Sequence, residues 1–278
     1  MFTLVKYVGE NGVALPEIIF WRQIVPLPLI LGWLAMTGGL GRLRTQRLTG
    51  HAGRATIGSA GMLCGFFSSI LLPLAEATTM GFTTPLFAVM LTALWLRDRV
   101  GLWRWTAVVV GFAGIVVIAQ PGHAPIAPLG AVAGLGSGLL VAIVSFQIRD
   151  LARTESPIAI VFYFALFGAL LALPFLPFYA SPHSAWQWLM MIAIGTFGTL
   201  GQLLMTAALR HGAVASVIVM DYSSLIWATL YGWLIWDQLP PLATWLGAPA
   251  IIAAGLIIVW REQRLAKAIS LPTALDGD

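Results

Sequence analysis

The chain has 278 residues, 59% of them hydrophobic and only 9% charged, with a mean hydropathy of +0.89. Soluble domains carry about 25% charged residues, so a water-facing globular fold is excluded. The net charge of +4 forms no basic face of the kind that binds nucleic acid; lysines and arginines stand at the ends of apolar runs, as orientation signals do.

Residues 1–9 are apolar but too short to span a bilayer, and read as the end of a helix whose beginning lies upstream of Met1. They are not a signal peptide, because Lys6 follows the apolar run instead of preceding it. Pro16 suits the first turn of a second helix, whose run 18–36 is apolar except for Arg22 and Gln23, with Pro26 and Pro28 as kink points. A loop at 37–54 carries Arg42, Arg44, Arg47, His51 and Arg54. The third helix, 56–73, places Gly58, Gly61 and Gly65 near one face, a small-residue packing signal. After a turn with Glu76, the fourth helix, 78–96, contains Pro85, which bends it or opens a backbone carbonyl, and Asp98 follows its end. The fifth runs over 103–119, and an uncharged, proline-bearing stretch at 120–128 divides the chain. The sixth to eighth span 129–148, 157–176 and 186–208, and the tenth spans 242–260, followed by a tail at 261–278.

The ninth, 213–236, has 24 residues and one charge, Asp221. At 1.5 Å per residue it spans roughly 30 Å, with Asp221 roughly 13 Å along, near the midplane. An acid there is costly unless it faces protein, water or a partner. The single cysteine, Cys64, excludes an internal disulfide, and His51, His123, His183 and His211 are too dispersed to suggest a metal site. No cofactor is expected, and no GxxxxGK[ST] stretch is present to bind a nucleotide.

If the partial first helix runs outward, thirteen of the fifteen lysines and arginines fall in cytoplasmic connections: Arg42, Arg44, Arg47, Arg54, Arg97, Arg99, Arg104, Arg149, Arg153, Arg210, Arg261, Arg264 and Lys267. The outer connections at 120–128, 177–185 and 237–241 carry none. The pattern predicts a cytoplasmic C-terminus. The two halves also match at a spacing near 140 residues: LWLRD at 94–98 with WLIWD at 233–237, Trp105 with Trp245, and Pro16 with Pro157. Five helices per unit turn the second copy upside down, and inverted repeats place a substrate path at their interface.

Two longer stretches, PLAEATTMGFTTPLFAVMLTALWLRDRVGLWRWTAVVVGFAGIVVI at 73–118 and GTLGQLLMTAALRHGAVASVIVMDYSSLIWATLYGWLIWDQLPP at 198–241, resemble the EamA-like permeases of the drug/metabolite transporter superfamily. Gln202, Ala208, Asp221, Tyr222, Trp227 and Gly232 fall where that group has such residues, and KYV at 6–8 with PE…FWR at 16–22 resembles its first-to-second helix join. Asp98 and Asp237 depart from the glutamates that usually end helices four and nine in the group. The resemblance implies an all-α polytopic membrane protein of ten helices in two inverted five-helix repeats, 1–120 and 128–260, with the first helix reduced to its last third. It implies a permease of the bacterial inner membrane moving a small organic solute, with export of amino-acid-like metabolites the favoured direction. The lipid bilayer is its surroundings, and monomer and homodimer both stay open.

For the site, Arg22 either snorkels outward or faces a cavity, where it would meet a carboxylate, a phosphate or an acid of another helix. Asp221 either neutralises an amine, carries a coupling proton, or pairs statically with Arg22. Trp21, Tyr163, Gln202 and Trp227 can supply stacking and hydrogen bonds, and Tyr222 points about 100° away from Asp221. Two rival readings are an embedded enzyme acting on a lipid and a non-transporting assembly partner. Arg22, Glu76 and Asp221 are expected at separate depths, which disfavours the enzyme.

Overall fold

A computed structural model describes residues 1–94, 101–119, 127–211, 217 and 220–269, and all regular structure among them is helical. Helix α1 is Phe2–Glu10. Gly12, at φ +90°, turns the chain into α2, Leu15–Ile24, with Pro16 in its first turn. Val25 stays helical in conformation and leads into α3, Pro26–Met36, so the two make one apolar path of 22 residues.

Helix α4, Leu48–Leu71, starts at Leu48 and not at 56. His51 and Arg54 therefore belong to a helix of membrane length, not to the loop expected at 37–54. Small side chains at Gly50, Ala52, Gly53 and Ala55 let this first pair of turns enter the bundle. The fourth segment also differs from expectation. It is two helices, α5 at Leu74–Gly81 and α6 at Thr84–Leu94, and not one run over 78–96. Pro85 lies in the first turn of α6, where a missing N–H is harmless, and not within a helix. Thr83 Oγ1 donates to the Met80 carbonyl and Thr84 Oγ1 to that of Gly81, both at 2.8 Å, so carbonyls at the break are satisfied.

Helices α7, Leu102–Ala119, and α8, Pro128–Leu151, follow. Gly138 of α8 makes room for the α5–α6 break: a Cβ there would lie 2.2 Å from Thr83 Oγ1. Helix α9, Pro157–Ala172, is capped by Ser156, whose hydroxyl accepts from Ala159 N at 3.2 Å. A short 3-10 turn leads to α10, Leu176–Tyr179, and then come α11, Ala185–His211, α12, Ser224–Trp236, and α13, Leu242–Ile269. The expected ninth helix, 213–236, is not one regular α-helix: a 3-10 turn at Met220–Ser223 precedes α12. Residues 213–216 and 218–219 of that stretch, like Asp98, His123, Gly212 and 270–278, lie outside the described residues.

Joined across their kinks, the described elements form ten helical segments. Six are long and apolar enough to cross a membrane: Leu15–Met36, Leu74–Leu94, Pro128–Leu151, Pro157–Tyr179, Ala185–His211 and Leu242–Arg261. Helix α4 packs along α8, α7 along α13, and α2 against α9 and α11. The connections 37–47 and 152–156, with Arg42, Arg44, Arg47 and Arg153, define a basic end; 11–14 and 180–184 lie at the opposite end.

The α7–α13 crossing depends on two glycines. A Cβ on Gly247 would lie 2.5 Å from the Gly114 carbonyl oxygen, and one on Gly114 would lie 2.7 Å from that of Gly247. Backbone meets backbone, so no rotamer change relieves either clash. Gly247→Val is therefore expected to destabilise the fold by about 1–3 kcal/mol, read as a lowered thermal unfolding temperature in detergent. An unchanged temperature would show that the helices are not this close.

Candidate functional site

Arg22 lies about 10 Å along α2 from the opposite end, and Arg54 about 9 Å along α4 from the basic end. Both side chains thus reach the interior of the bundle, where they are 4% and 1% exposed. They converge on one aromatic ring, Phe164 of α9. The Arg54 guanidinium carbon stands 3.7 Å from its centroid and that of Arg22 5.4 Å, so the two cations are separated by at most the sum of those distances. Arg22 Nη1 donates to Gln23 Oε1 at 2.7 Å, and Gln23 Nε2 reaches the Phe164 carbonyl at 3.5 Å.

The surroundings are shaped to fit these groups. A Cβ on Gly168 would lie 2.0 Å from Gln23 Nε2, and one on Gly198 would lie 3.2 Å from Arg22 Nε. Three donors remain without a hydrogen-bond partner among the described residues: Arg22 Nε, Arg54 Nε and Arg54 Nη1. No carboxylate of the described residues is within ion-pair distance of either arginine. Stacking on Phe164 is worth about 0.5–2 kcal/mol for a cation, whereas each unmade buried hydrogen bond costs about 1–3 kcal/mol. The cluster is therefore electrostatically incomplete.

A polar path joins it to the basic end. His51 lies one turn before Arg54 on the same face of α4 and stacks on Tyr163, ring centroids 4.7 Å apart. His51 Nε2 is 3.8 Å from Glu155 Oε2, Thr45 Oγ1 donates to Glu155 Oε1 at 2.8 Å, and the Tyr163 hydroxyl donates to the Leu43 carbonyl at 2.8 Å. Outside these groups lies a vestibule of about 810 Å³, lined in part by Arg44, Arg47, Glu155 and Tyr163. Arg47 pairs with Asp150 at its rim.

The opposite end has a similar closure. His183 Nε2 is 2.6 Å from Glu17 Oε1, both side chains are buried, and Trp21 Nε1 donates to the same oxygen at 3.4 Å. Trp188 meets Trp21 edge-on at 4.7 Å and His183 at 5.5 Å. Separately, a cavity of about 320 Å³ opens between α1, α4, α5, α8 and α12, with Ser69, Thr78, Ser137, Trp227 and Tyr231 in its wall. Met1 lines this cavity and also lies beside Gly198, next to Arg22.

The candidates named from sequence thus disperse. Arg22 faces the interior. Trp21 belongs to the aromatic closure at one end and Tyr163 to the path from the other. Trp227 lines the cavity, stacked on Tyr231. Tyr222 packs edge-on against Phe82 at 4.8 Å, with its hydroxyl against Gly255 of α13. Pro85 is buried at the start of α6, and Gln202 is half-buried on α11. Asp221 lies in the 3-10 turn, its side chain outside the described residues. Sequence reasoning missed Arg54, His51, Gln23, Phe164 and Glu155. The signal for the first two was their three-residue spacing among small residues, which reads as one helix face. Glu76, expected in a turn, is buried in α5 with Oε2 unpartnered.

Membrane-length apolar helices around a buried polar interior with an entry vestibule define a polytopic membrane protein of the solute-transporter class. The EamA-like transporter family model matches residues 1–120 and 128–260, and the chain belongs to that family. It is thus a member of a transporter family, not of an enzyme family. It is 29% identical to the pseudopaline exporter CntI of Pseudomonas aeruginosa over 89% of this chain and 87% of that protein. It is also 29% identical to a riboflavin transporter of Vibrio cholerae, over 92% and 86%. An S-adenosylmethionine uptake transporter of Rickettsia prowazekii is 26% identical over 93% and 87%. One solved crystal structure superposes with a TM-score of 0.65 at 20% identity, covering 93% of this chain and 94% of its own, a likeness of fold.

The Glu17–His183 contact should be energetically coupled. A double-mutant cycle with Glu17→Gln and His183→Ala, followed by thermal unfolding, is expected to give a coupling of about 1–3 kcal/mol. Additive effects would mean that the pair does not form.

Proposed function

We propose that the protein is a secondary active transporter that moves a small organic solute across the bacterial inner membrane. Two inverted five-helix halves, 1–120 and 128–260, rock about the polar interior between them. The reading rests on the reciprocal pairing at the two ends. At one end Glu17 of the first half meets His183 of the second; at the basic end Glu155 of the second half meets His51 of the first. A two-fold axis in the membrane plane exchanges such pairs, and opening one while the other holds is what alternating access requires. The basic end is cytoplasmic, by its arginines, and the C-terminal tail lies on that side.

The relatives' names include an exporter and an uptake transporter of different solutes, so neither direction nor solute is carried over from them. The driving force in this proposal is the proton gradient, with Asp221 as the titrating acid in the irregular turn before α12. Purified protein in proteoliposomes is expected to catalyse saturable solute flux that grows with an imposed proton gradient. Asp221→Asn is expected to abolish the gradient-dependent part by at least tenfold while solute exchange persists. Full gradient-dependent flux in Asp221→Asn would remove Asp221 from coupling, and no flux of any solute class would remove the transport reading.

A further inference from the structure

We infer that Arg22 and Arg54 form the receptor for an anionic group, a carboxylate or a phosphate, on the transported solute. The inference rests on the transporter reading and names its substrate class. Two guanidinium groups from helices entering from opposite ends of the bundle stand against the same Phe164 ring. Their charges repel, and nothing acidic among the described residues separates them. A ring beneath Arg54 satisfies the face of the guanidinium but none of its N–H groups, which point from its edge. Arg54 Nε and Nη1 and Arg22 Nε are accordingly the unpartnered donors.

An oxyanion supplies what this arrangement lacks. It accepts hydrogen bonds from both guanidinium edges, and its negative charge lowers their mutual repulsion. Gln23 holds one side of Arg22, and Gly168 and Gly198 keep the wall behind these groups close. Toward the basic end Arg44 lines the vestibule together with Glu155 and with Arg47, which is paired with Asp150. A neutral isostere that replaces the acid by an amide brings N–H groups toward N–H groups and is rejected. A cationic solute is rejected more strongly.

The test uses the full chain purified in detergent, with thermal unfolding followed by tryptophan fluorescence. Succinate, glycerol 3-phosphate and succinamide are titrated at constant ionic strength. At least one anion is expected to raise the unfolding temperature saturably while succinamide does not; the carboxylate and phosphate arms decide which oxyanion the site takes. Arg22→Gln and Arg54→Gln are each expected to raise the midpoint anion concentration at least tenfold, and Arg54→Lys less than Arg54→Gln. Without anion, both glutamine variants are expected to unfold at a temperature equal to or above that of the parent, since a repelling buried charge is gone. That readout shows the variants to be folded. Equal shifts from succinate, glycerol 3-phosphate and succinamide, no shift from either anion, or unchanged anion response in both glutamine variants would overturn the inference. Flux of neutral or cationic solutes in proteoliposomes, with no anion response here, would leave the transporter reading standing and remove only the anion receptor.

Discussion

Two buried cations against a single aromatic ring set the terms for this structure. An arginine at the centre of a membrane helix costs about 2.5–3.5 kcal/mol on insertion, and this chain buries two inside the bundle against one ring. Stacking on Phe164 and the Gln23 hydrogen bond return part of that cost but leave three donors unmade. The surrounding fold holds the cluster in place. Pro16 starts α2 so that Arg22 points inward, the early start of α4 carries Arg54 into the bundle from the other end, and Ser156 with Pro157 sets the register of α9 and of Phe164. Glycines at 168 and 198 admit the polar groups against the neighbouring helices.

The two ends are closed differently around this interior. At the opposite end Glu17, His183, Trp21 and Trp188 form a compact plug with little water contact. At the basic end Tyr163 and Glu155 line an 810 Å³ vestibule, with His51 buried behind them. The α5–α6 break at 82–83 flanks the second cavity, and Phe82, Thr83 and Thr84 are buried there, so this irregular backbone faces protein and not lipid.

Much of the fold was legible because the bilayer demands long apolar runs and proline and glycine punctuate them. Leu15–Met36, Pro128–Leu151 and Leu242–Arg261 follow directly from that. Helix starts inside polar sequence were not legible. LTGHAGR at 48–54 looks like a loop by charge, and only packing of its small residues into the bundle makes it helical. Pro85 was ambiguous for a related reason: a proline within an apolar run looks the same whether it kinks one helix or begins another. Arg22 was visible as a lone charge in an apolar helix. Phe164 was not, because nothing local separates a ring that stacks on guanidinium groups from the other aromatic residues of α9.

The account stands or falls on whether the arginine cluster is a water-accessible place inside the bilayer or a sealed structural core. With Cys64 replaced by serine, a single cysteine at position 54 in oriented, intact vesicles can be challenged with a membrane-impermeant thiol reagent, and position 47 at the basic rim serves as the reactive control. The account predicts labelling of position 54 from the basic side, slower than at position 47. Complete protection of position 54 from both sides, with position 47 reacting normally, would contradict it.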